Sequence, residues 1–251
     1  MAVIFYLSGT GNSLYAAKQL QQAFNDCRLE KIGEYLKNPY PVQDMEIGII
    51  CPVYCFALPP KAAEFLRSLQ AEPEYCFGVV TMGANAGYAL KEMGAILQQQ
   101  NITLNYARDI AMPDNFFAVP QAVIDKMLQS SAKKLAEVCE ELRLKTEATG
   151  RIKDAWVWES FGTSLAWKYM DNILRINKLW ADENCIGCGL CQQVCPMGNI
   201  KLAEGRPVFG AECANCLGCL HWCPKGAVHA GKKYIKQSNR YRHPEITAAD
   251  M

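Results

Sequence analysis

Eight of the chain's thirteen cysteines fall between Cys185 and Cys223, at ligand spacing. Cys185, Cys188, Cys191, Cys195 and Pro196 recur 28 residues later as Cys213, Cys216, Cys219, Cys223 and Pro224, and Gly198 and Ile200 recur as Gly226 and Val228. Cysteines at consecutive three-residue steps fold a short loop on which thiolates converge, and soft sulfur suits iron. The cysteine before proline is carried off by the turn that follows it and reaches the other cluster. The spacing therefore predicts two [4Fe-4S] clusters. One takes Cys185, Cys188, Cys191 and Cys223; the second takes Cys213, Cys216, Cys219 and Cys195. Structural zinc also uses CxxC pairs, but seldom three cysteines in successive steps repeated with Cys-Pro endings. With eight thiolates assigned, His221 inside the second motif is read as a surface or partner-facing residue. Gly187, Gly189 and Gly218 are expected to let backbone N–H groups approach the cluster sulfurs.

A second chemistry is suggested by Ser8-Gly9-Thr10-Gly11-Asn12-Ser13, which lies between an apolar strand and the start of a helix. There the backbone N–H groups and the helix dipole favour a phosphate, and hydroxyls at Ser8, Thr10 and Ser13 add donors. A Walker A loop would end in GK[ST], and no lysine is present. A dinucleotide fingerprint would need glycine where this chain has Leu14. A loop for one terminal phosphate passes both checks.

These residues need scaffolds. From residue 1 to about 150, short apolar runs alternate with amphipathic stretches, the pattern of a parallel sheet covered by helices. Strands are expected at Val3 to Leu7, Arg28 to Ile32, Ile47 to Pro52, Tyr75 to Met82 and Asn105 to Ala111. Helices are expected at Asn12 to Phe24, Pro60 to Leu69, Tyr88 to Gln100 and Pro120 to Ala148. Residues 151–180 crowd Trp156, Trp158, Phe161, Trp167, Tyr169 and Trp180, and read as an aromatic linker with a helix from Phe161 to Asn177. Residues 181–231 hold the cysteine repeat. Residues 232–251, with Lys232, Lys233, Lys236, Arg240 and Arg242, read as a basic, solvated tail.

Half of the 251 residues are hydrophobic and a fifth charged, which excludes a disordered chain. The net charge of +1 is split mildly, −3 over residues 1–150 and +4 over the rest. The N-terminus has no basic leader and no apolar run reaches membrane-spanning length, so with reduced cysteines a cytoplasmic protein, of an anaerobe, is expected. Cys27, Cys51, Cys55, Cys76 and Cys139 are read as packing thiols.

Strand, [ST]GTGN[ST] and helix together resemble the FMN phosphate loop of flavodoxins. Over residues 1 to about 230 the chain resembles the family that fuses an N-terminal flavodoxin-like domain to a C-terminal two-cluster ferredoxin. The resemblance implies a doubly wound five-stranded parallel sheet of order 2-1-3-4-5, a small α+β two-cluster domain, and FMN at the carboxyl ends of the strands. It implies phosphate contacts from Ser8, Thr10, Gly11, Asn12 and Ser13. A PVY-type segment would lie on the ring with Pro52, Val53, Tyr54, Phe56 and Ala57. A second flavin loop would supply Thr81, Met82, Gly83, Asn85 and Gly87, and a third Asp114 and Asn115. No tryptophan occurs in these loops, so ring stacking falls to Tyr54, Phe56, Tyr88 or Phe116, with Tyr54 favoured.

FMN takes electrons in pairs or singly and each cluster takes one, so the pairing implies a two-to-one electron converter serving redox protein partners. The alternative is an FMN-dependent reductase of a quinone- or nitro-type substrate, with Asp114, Tyr54 or Tyr88 as proton donor. No catalytic triad or HExxH motif is present. A DNA-binding sensor would use the basic tail, but no helix-turn-helix pattern supports it, and nucleic acid is not expected as a partner.

Overall fold

The computed structural model describes residues 1–149, 163, 165, 166, 168, 169, 178–231 and 240–251. Five strands, β1 (Ala2–Tyr6), β2 (Cys27–Lys31), β3 (Glu46–Pro52), β4 (Tyr75–Met82) and β5 (Tyr106–Ala111), pair in parallel in the order β2-β1-β3-β4-β5. This is the doubly wound, flavodoxin-like order expected. Alternation along β1 shows why both faces are covered. Val3 and Phe5 enter one core with α2 (Ile32–Lys37), α3 (Pro60–Ser68) and α4 (Ala89–Gln99), while Ile4 and Tyr6 enter the other with α1 (Asn12–Gln21) and α5 (Gln121–Arg143).

Several elements differ from the sequence expectation. Helix α2 was not anticipated; its six residues bury only Ile32, Gly33 and Tyr35, too short a stretch for a 3.6-residue period to show. Helix α5 ends at Arg143, and its apolar stripe is buried at Leu135, Val138 and Leu142 but not at Val123, which is 45% exposed. The linker helix expected over 161–177, with Trp156, Trp158, Phe161 and Trp167, lies outside the described residues apart from scattered positions. Among these, Thr163 is buried and its Oγ1 donates to Cys55 O at 2.8 Å.

The cysteine-rich segment pairs β6 (Leu179–Ala181) with β9 (Val228–Ala230) and β7 (Ile200–Ala203) with β8 (Arg206–Phe209), both antiparallel. Two short helices, α6 (Leu190–Gln193) and α7 (Gly218–Trp222), follow the repeated loops. The segment is built into the first domain. Met197 and Ala214 join the core on one face of the large sheet, and Val194 and Trp222 join the other.

The expected solvated tail is corrected over its described part. Residues 240–251 pack on the protein, with Tyr241, His243, Ile246 and Met251 all buried. A count of basic side chains registers their charge and misses the four large residues set among them. Lys232, Lys233 and Lys236 lie outside the described residues.

Candidate functional site

Four loops meet at the carboxyl ends of β1, β3, β4 and β5, where a parallel sheet leaves its backbone groups open. Ladder bonds run one step past the strands and hold the loops in register: Val53 N–H donates to Thr81 O and Met112 N–H to Met82 O, each at 2.9 Å. Together the loops line a hollow of about 410 Å³. Of the residues expected to hold FMN, Ser8, Thr10, Asn12, Ser13, Pro52, Val53, Tyr54, Thr81, Met82, Gly83, Asp114 and Asn115 line it. Gly11, Phe56, Ala57, Asn85 and Gly87 do not, while Gly9, Met112 and Pro113 are lining residues that the site prediction left out.

Turn geometry explains this division. Tyr54 and Ala57 exchange backbone hydrogen bonds at 2.9 and 3.0 Å around Cys55 and Phe56, whose φ values are 49° and 66°. Two left-handed central residues are the signature of a type I′ turn, which directs Tyr54 inward and leaves Phe56 44% exposed. Gly87 sits against this turn, and Asn85 Oδ1 accepts the Gly87 N–H at 2.9 Å.

The cradle has the character of an anion site. Helix α1 starts without a side-chain cap, so its first-turn N–H groups face the loop. Ser13 Oγ and Thr81 Oγ1 lie 2.9 Å apart. Ser8 Oγ and Tyr54 OH are buried without a hydrogen-bond partner, and both belong to the lining. Burial drives the Tyr54 hydroxyl pKa well above its ordinary value, and the neighbouring Cys216, Cys51 and Cys213 thiols push it further. An orphaned hydroxyl beside a polar hollow fits a ligand with acceptor oxygens, as FMN would supply. Asn12 lines the hollow with its side chain engaged elsewhere, its amide donating to Pro113 O at 2.9 Å and accepting from Tyr241 OH at 2.7 Å.

Two further hollows lie among the cysteines. Cys185, Cys188, Cys191 and Cys223 line one of about 340 Å³. Cys195, Cys213, Cys216 and Cys219 line the other, of about 380 Å³. Among the described residues no three His, Cys, Asp or Glu side chains are set to hold a single metal ion. Each quartet instead lines a hollow of its own. Backbone N–H groups of Asn199, Asn215 and Ala227 approach the sulfurs of Cys195, Cys213 and Cys223, each at 3.3 Å. Such contacts raise a cluster's potential by stabilising sulfur charge. As a free thiol Cys216 is pushed up to about 12, chiefly by burial, so only bound cations would hold it as thiolate.

The two repeats share one backbone but not one sequence. Gly187 and Gly189 have φ of 66° and 76°; the equivalent positions, Asn215 and Leu217, have 54° and 57°. Gly218 is therefore not the left-handed residue of the second loop. Its backbone N–H does bond the Cys216 sulfur, as expected, and its glycine also serves packing, since a Cβ there would sit 2.7 Å from Gly9 O. His221, by contrast, is corrected. It is 3% exposed, accepts the Tyr241 N–H on Nδ1 at 3.1 Å, and so donates from Nε2 to Asn115 O at 2.7 Å. Linear spacing gave no sign that this face of the second motif is an internal interface.

That interface joins the hollows. Trp222 Nε1 donates to Gly9 O at 3.0 Å and Asn115 Nδ2 to Cys216 O at 3.3 Å, while a Cβ on Gly9 would meet Cys216 O at 2.5 Å. The phosphate-type loop and the buried cysteine loop are in van der Waals contact.

Residues 184–228 match the family described as 4Fe-4S dicluster domain. An uncharacterised protein of Methanocaldococcus jannaschii is 46% identical over 54 residues, 21% of each chain. A ferredoxin-like protein from the nif region of Trichormus variabilis is 42% identical over 45 residues, 17% of this chain and 39% of that protein. The chain thus spans well under half of either curated relative. Among solved structures, two-electron reduced Megasphaera elsdenii flavodoxin aligns at 19% identity with a TM-score of 0.35, over 53% of this chain and 99% of that one. By its own sheet order and its matched cysteine segment, the chain joins a flavodoxin-like α/β domain to a 4Fe-4S dicluster domain.

Proposed function

We propose that the protein is an electron-transfer flavo-iron-sulfur protein that links a two-electron donor or acceptor to one-electron redox proteins. FMN, when bound, supplies the exchange between paired and single electrons, and two [4Fe-4S] clusters supply the single-electron path. The observation that supports this reading is the direct contact of the loop at Gly9 with the loop at Cys216, which brings the two hollows side by side. Ser8, Thr10 and the first turn of α1 would hold the phosphate, and Pro52 to Tyr54, Thr81 to Gly83 and Asp114 to Asn115 would enclose the ring. Cys185, Cys188, Cys191 and Cys223 would ligate one cluster, and Cys195, Cys213, Cys216 and Cys219 the other.

The reductase alternative would draw its proton from Asp114, Tyr54 or Tyr88, and of these Asp114 already accepts the N–H groups of Phe116 and Phe117 on Oδ1 at 2.6 and 2.8 Å. An anaerobic redox titration followed by optical and EPR spectra tests the proposal. One FMN and about eight iron atoms per chain are expected. Absence of flavin, or of the broad visible absorption of the clusters, would end it.

A further inference from the structure

Resting on the FMN reading above, we propose that residues 240–251 are a strap that holds the phosphate loop in its binding conformation, with Tyr241 as the positioning residue. The strap starts on the cluster-bearing segment, where Arg240 donates to Leu220 O, to Gly226 O at 2.7 Å and to Val228 O at 3.2 Å. It then crosses the loop. Tyr241 OH donates to Asn12 Oδ1 at 2.7 Å, and His243 N–H donates to Thr10 O at 2.8 Å. The His243 ring stacks on Tyr15 of α1 at 4.0 Å, and Lys18 of α1 pairs with Asp250.

Gly11 shows how close this contact is. Its φ is +100°, and a Cβ there would stand 3.0 Å from the Cβ atoms of both His243 and Ile246. Gly9 is pressed against Cys216 in the same way. The glycines of the motif thus serve two packing contacts as well as any phosphate. Asn12 completes the grip, since Tyr241 holds its carbonyl and its amide is bonded to Pro113 O. The side chain is fixed, and with it the direction of the first N–H groups of α1.

A glycine-containing loop left free must be ordered when phosphate binds, and that ordering subtracts from affinity. The strap orders the loop beforehand. The loop meets only the phosphate end of the ligand, so the effect is phosphate-specific: FMN feels it, and riboflavin, which lacks the phosphate, does not.

The test compares wild type, Tyr241→Phe and a chain ending at residue 239, all cluster-loaded and anaerobic. Kd for FMN and for riboflavin is read from flavin fluorescence, and cluster content from EPR. Tyr241→Phe removes one hydroxyl and is expected to weaken FMN about three- to tenfold, the worth of one hydrogen bond. The shortened chain should lose more. In Tyr241→Phe, which keeps Arg240 and the strap backbone, riboflavin affinity and both cluster signals should stay unchanged. Unaltered FMN affinity in Tyr241→Phe overturns the inference, as does an equal loss for FMN and riboflavin, which would mean general loosening. Should the shortened chain fail to fold, Tyr241→Phe alone decides. A wild-type protein that binds neither flavin refutes the FMN reading itself, a separable outcome.

Discussion

Ser8 Oγ is 2% exposed as a residue, and it has no hydrogen-bond partner. A buried hydroxyl left unpaired costs on the order of 1–3 kcal/mol, which a folded chain keeps only where the group has another use. If that use is an FMN phosphate, Ser8→Ala should have opposite effects on two measurements. Without flavin, the thermal midpoint should hold or rise, because the desolvation cost is gone. With FMN, affinity should fall by roughly ten- to a hundredfold, since a charge-assisted hydrogen bond is worth about 1.5–3 kcal/mol. Calorimetric unfolding of the flavin-free protein and an FMN titration measure the two, and a drop in flavin-free stability with unchanged affinity would count against the role. Leu217 shows a different compromise at the same scale. Its left-handed φ of 57° costs about 1–2 kcal/mol, and its side chain, 5% exposed, offsets this by packing with Leu220 and Val228 between the cysteine loops.

Among the elements, the β7–β8 hairpin shows how turn chemistry sets backbone geometry. Its two-residue connection, Glu204-Gly205, has φ values of 50° and 73°, the type I′ pattern. Glutamate tolerates the left-handed region poorly and asparagine tolerates it well. Glu204 is exposed and lines none of the three hollows, so Glu204→Asn should stabilise the protein by about 0.5–1 kcal/mol with both cluster signals retained. A thermal midpoint equal to or below wild type would sink that expectation. Elements of this kind also show what was legible in the sequence. The five strands and four of the five helices before residue 150 were readable, because long periodic runs carry a strong signal, while the sheet order followed from the resemblance to flavodoxins. The cysteine repeat was readable because its spacing is local, and the structure gathers its eight cysteines four to a hollow. Helix α2 was too short to show a period. The burial of His221 and Tyr241, and the reason Gly218 is glycine, depend on contacts with Asn115, Asn12 and Gly9, more than a hundred residues away. No local pattern encodes such a contact, and so the tail was read from its charges alone.

At the scale of the whole molecule the two cysteine quartets are not equivalent, and under the proposed function the difference would give electrons a direction. Cys216 and Cys219 are 8% and 6% exposed, and their loop lies against Gly9, Asn115 and Tyr54. Cys188 is exposed, and the adjacent Ile186 is 60% exposed. Cys191 and Cys219 share one small core between the quartets, so a carrier in one hollow neighbours a carrier in the other. Electrons would then run from the hollow at the sheet ends to the buried quartet and on to the exposed one, where a redox partner can reach them. This order predicts unequal loss of iron. A mild oxidant with a chelator, which attack from solvent, should remove about half of the iron in a fast phase while flavin absorbance persists. The surviving EPR signal should belong to the cluster on Cys195, Cys213, Cys216 and Cys219. Replacing Cys188 by Ser should abolish the fast phase, and replacing Cys219 by Ser should spare it. Iron lost in a single phase, or flavin released before any iron, would show that the quartets are equally open to solvent and that burial does not order the path.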